Sequence, residues 1–160
     1  MRSSWALRCP RRGESGCPAR HSPRFAPASV ELAVFLDSSA LVKLVVREAE
    51  SGALTAHLRR HPDRASCALA RVEVVRAVRP HGRRAIARAR QLLGRISLVR
   101  VDDALLDEAS ALPDSMLRSL DAIHIAAAQA LGADLVEVVT YDRRMTDAVQ
   151  RAGLTVAAPA

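Results

Sequence analysis

The chain has 160 residues, room for one domain with a proper core and hardly two. Apolar residues make up 49% and aromatic ones 2%; this excludes a largely disordered chain, implies an aliphatic core, and leaves few rings on which nucleic-acid bases stack. The net charge of +7 is uneven: residues 1–30 hold six arginines against one glutamate, while residues 31–160 hold 18 basic and 16 acidic side chains.

The opening stretch, MRSSWALRCPRRGESGCPARHSPRFAPAS, is rich in Arg, Ser and Pro and shows no hydrophobic period. It lacks the apolar segment of a secretory signal. Residues 1–30 therefore read as a basic arm, either disordered or upstream of a true start near Val30 or Val34, and residues 31–160 as the folded domain. Such an arm can bind phosphates through counterion release. Cys9, Cys17 and Cys67 have no zinc-like spacing, so a reduced, cytoplasmic setting is expected. No apolar run is long enough to span a bilayer.

Strands and helices then alternate. Leu32 to Leu36 is strand-like; Ser39 to Arg47 and Glu50 to Arg60 read as helices, the second broken by His61-Pro62-Asp63. A short strand at Ala65 to Ala68 precedes a helix from Leu69 to Val78. Pro80-His81-Gly82 separates it from a basic helix, Arg83 to Gly94. A β-branched run, Ile96 to Val101, leads to a helix at Asp103 to Leu112 and a Pro113-Asp114 loop. Ser119 to Leu131 is helical, with Gly132 as its cap. Leu135 to Thr140 is a strand, Arg143 to Arg151 a helix closed by Gly153, and Leu154 to Ala157 a last strand. Continuously apolar strands between helices predict a three-layer α/β/α sandwich with a mostly parallel central sheet.

In such a sheet, ligands bind beyond the carboxyl ends of the strands. Asp37 directly follows the first strand, and Asp142 follows the 135–140 strand by two residues. Each also suits a helix N-cap. Asp121 lies near a helix start, where the macrodipole favours it, with Leu117 and Ile125 on its face. Glu73 reads as a mid-helix glutamate on an apolar face without an obvious partner. Four acids converging on one sheet edge would repel one another without a cation, which points to a magnesium site of hard oxygen ligands.

These residues carry a resemblance. VFLDSSALVKL, the VEVVRAV stretch around Glu73, LRSLDAIHIAAAQAL around Asp121 and VVTYDRRM around Asp142 resemble, in order, the four motifs of PIN-domain ribonucleases of the bacterial VapC type. The resemblance covers residues 33–157. It implies an endoribonuclease that cuts RNA (tRNA, rRNA or mRNA) by water attack on the phosphodiester, leaving a 5′-phosphate and a 3′-hydroxyl. Asp37, Glu73, Asp121 and Asp142 match the quartet that holds Mg²⁺, with Mn²⁺ as a substitute. Ser39 and Thr140 match hydroxyl positions beside the acids. His124, three residues after Asp121, is expected to support an acid rather than to ligate the cation. The resemblance further implies a toxin with a cognate antitoxin protein, and a homodimer.

Arg76, Arg83, Arg84, Arg118 and Arg143 are candidate phosphate contacts, because a guanidinium fork binds phosphate bidentately. Against this, 23 of the 24 basic residues are Arg, so many simply solvate helix faces. A receiver-like domain would need a lysine after a late strand, yet the one lysine, Lys43, is on the first helix. A DxDx phosphatase would need an acid where Ser39 stands. A PIN-like module that binds partners without catalysis is the remaining alternative.

Overall fold

The computed structural model describes residues 32–160, so the expectations for the arm at 1–30 lie outside the described residues. The described residues build five strands and seven α-helices: β1 (Ala33–Leu36), α1 (Ser38–Val45), α2 (Ser51–Leu58), β2 (Arg64–Cys67), α3 (Ala70–Ala77), α4 (Gly82–Leu93), β3 (Ser97–Val99), α5 (Asp103–Ser110), α6 (Ser119–Gln129), β4 (Leu135–Val139), α7 (Arg143–Arg151) and β5 (Val156–Ala157). The strands form one sheet of order β3-β2-β1-β4-β5. Every pairing is parallel.

Burial explains this order. All four residues of β1 are inaccessible, as a central strand covered on both faces requires. Phe35 points into a core shared with Leu105, Ile125 and Met145, from α5, α6 and α7. Val34 and Leu36 point the other way, toward Leu41, Leu54 and Val74 of α1, α2 and α3. Helix α4 joins that second layer through Ala85, Ala89 and Leu93, one stripe at four-residue spacing. The two cores, with the sheet between them, make the three layers.

Three strand exits use one local device. Asp37, Asp102 and Asp142 each leave a strand in extended backbone and accept from an amide in the first turn of the following helix. The element order agrees with the alternation read from sequence, with shorter ends. Strand β3 covers only Ser97–Val99 and β5 only Val156–Ala157. Helix α6 stops at Gln129; Gly132, at φ 58°, starts a 3₁₀ turn over Gly132–Asp134 instead of capping the helix. Strand β2, Arg-Ala-Ser-Cys, is not an apolar run. It is buried all the same because Ser66 spends its hydroxyl on the Leu36 carbonyl at 2.7 Å.

Cys67 ends β2 inside the core, and burial pushes its thiol up to about 11. A protonated, inaccessible thiol is a poor nucleophile. Alkylation at neutral pH should therefore leave Cys67 unmodified until denaturant is added, as mass spectrometry of its peptide would report. Rapid labelling of Cys67 itself in the native protein would contradict this packing.

Candidate active site

The strand order reverses direction between β1 and β4, since the chain runs from β1 outward through β2 and β3, then returns to β4 and β5. A crevice opens at the carboxyl ends of strands at such a switch point. Here Asp37, Ser38, Ser39, Glu73, Asp121, His124 and Asp142 line one cavity of about 250 Å³, closed at its sides by Val42, Ala77 and Met145.

Asp37 does two things at once. Its Oδ2 accepts from the Ser39 amide at 3.3 Å, the Ser39 hydroxyl at 2.7 Å and the Thr140 hydroxyl at 3.0 Å. One oxygen thus caps α1 and ties β1 to β4. The other, Oδ1, lies 4.0 Å from the His124 Nδ1. The capping and cavity-facing readings of Asp37 therefore hold together. Asp142 is similar: Oδ1 accepts from the amides of Arg144 at 2.8 Å and Met145 at 3.3 Å, and the residue is exposed. Tyr141 anchors the intervening segment. Its amide donates to Ser39 Oγ at 2.9 Å, its hydroxyl reaches the Pro159 carbonyl at 2.8 Å, and the Lys43 ammonium sits 4.8 Å from its ring.

Glu73 departs from the sequence reading. It stands in the first turn of α3 rather than mid-helix, and it has two partners. The Ser38 hydroxyl donates to Oε2 at 2.5 Å, and His124 Nε2 meets the same oxygen at 2.8 Å. Its carboxyl is held below the usual range, first by the His124 hydrogen bond, with Ser38 and the imidazole charge helping against burial. Sequence reasoning places Ser38 only along the lining of the site and does not foresee its bond to Glu73. The paired serines after Asp37 were the available signal.

Asp121, in the first turn of α6, is pushed the other way. Burial raises its pKa, and the neighbouring charges of Asp142 and Asp37 raise it further, only partly offset by His124 and Arg118. His124 is buried between α6 and the sheet, edge-on to the Phe35 ring at a centroid distance of 6.3 Å. Burial pulls its pKa down, but the Glu73 hydrogen bond and the charges of Asp37, Glu73 and Asp121 outweigh this, and the net movement is upward. Its Nδ1 is the one buried side-chain polar atom among the described residues without a hydrogen bond.

These shifts set a pH dependence for chelator-treated protein. His124 contributes stability that is complete below about pH 6.5 and is lost as pH rises through its raised folded value. Asp121 acts in the same sense at lower pH, because a raised carboxylate favours the folded state only while protonated. Glu73 opposes them in acid: its contribution disappears as pH falls through its lowered value. Thermal melts in EDTA are therefore expected to show declining stability from about pH 6.5 upward, flattened in His124→Gln. A flat wild-type profile would contradict the clamp around this histidine.

Of the candidate phosphate contacts, Arg76, Arg83, Arg84, Arg118 and Arg143 are all exposed, and none lines the acidic cavity. Arg118 borders an adjoining groove of about 440 Å³ with Asp121, Arg144 and Arg151. Arg151 is already paired with Asp114 at 2.7 Å.

An α/β sandwich with four acids at its switch point has counterparts among known proteins. The sequence model of the PIN domain matches residues 34–150, and the chain belongs to that family. On the VapC side of it, the chain is 53% identical over 128 residues to Ribonuclease VapC46 of Mycobacterium tuberculosis, a match covering 79% of this chain and 98% of that one. It is 39% identical over 133 residues to Ribonuclease VapC35 of the same species, covering 79% and 96%. The crystal structure of M. tuberculosis VapC20, described as a sarcin–ricin loop cleaving toxin, shares the fold at a TM-score of 0.63 and 18% identity, covering 79% of this chain and 99% of that one.

Proposed function

We propose that the chain is a metal-dependent endoribonuclease, the toxin of a toxin–antitoxin pair, and that Asp37, Glu73, Asp121 and Asp142 hold Mg²⁺, with Mn²⁺ as a substitute. One observation carries this reading: four acids from four separate elements share one small cavity, and Asp121 is pushed up by burial and by the charges of Asp142 and Asp37. Hard carboxylate oxygens without a thiolate suit Mg²⁺ or Mn²⁺. The like charges around Asp121 are what a cation would relieve. The VapC46 and VapC35 relatives, both named ribonucleases, support the same conclusion.

A divalent cation in this cavity would acidify the attacking water and neutralise charge on the scissile phosphate. The protein's own part is positioning. Ser39 and Thr140 hold Oδ2 of Asp37, which leaves Oδ1 to the cavity. Ser38 and His124 fix Oε2 of Glu73 and keep that carboxyl ionised. Arg118 and Arg144, beside Asp121 in the adjoining groove, would grip the RNA backbone, with Arg76, Arg83, Arg84 and Arg143 as outer contacts. At about 250 Å³ the cavity suits a phosphodiester rather than a whole nucleotide, so the RNA chain lies across it.

A cytoplasmic setting, a cognate antitoxin protein and a homodimer belong to the same proposal. Leu106, Met116 and Leu120 are exposed on or between α5 and α6, an apolar surface that such a partner or second copy would cover. Among the described residues no helix is long and apolar enough to cross a membrane.

Cleavage of a mixed tRNA and rRNA pool by partner-free protein tests the enzyme against the inactive PIN-like module. Wild type should cut. If it leaves every RNA intact with Mg²⁺ supplied, the module is the better reading. Asp37 separates its two jobs in the same assay. Asp37→Asn keeps an acceptor for the α1 cap, whereas Asp37→Ala should cost about 1 kcal/mol of stability in denaturant melts. Both variants should lose cleavage alike. Retained cutting by Asp37→Asn would leave this carboxylate with a capping role only.

A further inference from the structure

A second group of ligating side chains lies away from the acid cavity. His57 lies in the last turn of α2, His61 follows the helix by three residues, and Glu137 sits in the middle of β4. One ligand atom from each lies within 4.8 Å of the others. His57 Nε2 is in hydrogen-bond contact with Glu137 Oε1, and both side chains are largely buried, at 16% and 13% exposure. The His57 and His61 rings are tilted against one another at 5.0 Å between centroids.

The backbone builds this placement. Between Ala33↔Leu135 and Val34↔Glu137 the register of β1 and β4 slips, so two β4 residues oppose one step of β1. Regular alternation would put Val136 and Glu137 on opposite faces. The bulge brings Glu137 level with Val34, whose side chain packs in the layer of α1 to α4, and Val136 packs in that layer too. A bulge is a recognised way to re-aim a side chain. Here it delivers an acid to the end of α2.

A His57–Glu137 ion pair alone would satisfy both groups, but it leaves His61 unexplained. That ring has no hydrogen bond among the described residues; it stands past the helix end, half-buried against the His57 ring. Metal–nitrogen bonds of about 2.0–2.1 Å place tetrahedral ligands roughly 3.3 Å apart, so a small turn of His61 closes the set. We propose that His57, His61 and Glu137 form a second metal site, for an imidazole-preferring ion such as Zn²⁺, at the end of the sheet opposite the acid cavity. Two imidazoles and one carboxylate select Zn²⁺ over Mg²⁺. Glu137 opposes Val34, three residues before Asp37, so the two sites are about 10 Å apart along the strands. Three protein ligands leave a fourth position for water. The site would pin the end of α2 to the central sheet. Arg60 Nη2 contacts His57 Nδ1 at 3.4 Å on the exposed side. An imidazole that gives Nε2 to a metal keeps its hydrogen on Nδ1, so this long contact must break, and Arg60 opposes binding.

The test is Zn²⁺ titration of the full chain, in excess Mg²⁺ to occupy the acid cavity, with Co²⁺ spectra to separate nitrogen and oxygen ligands from the thiols. Wild type should take up Zn²⁺ at a site whose Co²⁺ form lacks thiolate charge-transfer bands, and its melting temperature should rise. Outer-shell changes already cost metal sites about 10–100-fold, so Glu137→Gln and His61→Ala should weaken this uptake at least that much. Arg60→Gln should tighten it. Circular dichroism of each variant verifies folding, and His61→Ala, beyond the helix end, tests the site without loss of a core contact. Absence of this uptake in wild type, or uptake unchanged in folded Glu137→Gln and His61→Ala, overturns the proposal.

Discussion

Asp121→Asn is expected to lower RNA cleavage by about 10²–10³-fold, the usual cost of deleting one preorganised electrostatic stabiliser, and at the same time to make the metal-free protein slightly more stable. The two effects share a cause. Burial and the charges of Asp142 and Asp37 all disfavour the ionised Asp121 carboxyl. Asparagine keeps the shape and removes that charge, so repulsion in the empty acid cluster falls. The gain should be small, because Asp121 is only half-buried and solvent screens it. Mg²⁺ should then raise the melting temperature of wild type and do little for the variant, since only a species that binds the folded state shifts the equilibrium. Melting curves with EDTA and with Mg²⁺, beside single-turnover cleavage, measure all three. An Asp121→Asn protein that is less stable in EDTA would mean that Asp121 is a structural acid.

The second large effect is on stability. Phe35→Ala should cost about 3–5 kcal/mol, the range for truncating a buried aromatic, measured as a shift in the urea midpoint. That is a large part of the roughly 5–15 kcal/mol that holds a typical domain together. Phe35 is completely buried in the central strand, and the other large fully buried side chains are aliphatic. Nothing of similar size stands ready to fill the space. The ring also forms the wall against which His124 packs edge-on. Phe35→Leu, closer in volume, should therefore cost less stability yet still loosen the Glu73–His124 contact and reduce cleavage. A loss below about 1 kcal/mol for Phe35→Ala would show that this core collapses more easily than its packing implies.

Much of this architecture is legible in the sequence because its signals are local. The apolar run before Asp37, the helix at Arg143–Arg151 and the breakers at Pro80 and Pro113 each act within a few residues. The element ends are less legible: β3 and β5 are short edge strands whose length depends on which neighbour they find. Strand β2 escapes the apolar-run rule because Ser66 is paid for by a carbonyl 30 residues away.

The candidate site shows the same division. An aspartate after a strand is easily seen, but the rule finds Asp102 as readily as Asp37 and Asp142. All three cap helices. Only the strand order separates them, since Asp102 follows the edge strand β3 while the other two flank the switch point. Glu73 looked unpartnered because its partners, Ser38 and His124, are 35 and 51 residues distant. The bulge that turns Glu137 toward His57 is likewise invisible in a five-residue strand read alone.

The most direct measurement is the chemistry of the cut ends. Partner-free protein is incubated with RNA, stripped with EDTA, then resupplied with Mg²⁺, and the product termini are mapped. Cutting that stops in EDTA, returns with Mg²⁺ and leaves 5′-phosphate and 3′-hydroxyl ends is the expected result, because water at the acid cavity is then the nucleophile. Cutting indifferent to EDTA, or ending in a 2′,3′-cyclic phosphate, would mean that the RNA's own 2′-hydroxyl attacks, and the four acids would lose their place in the reaction.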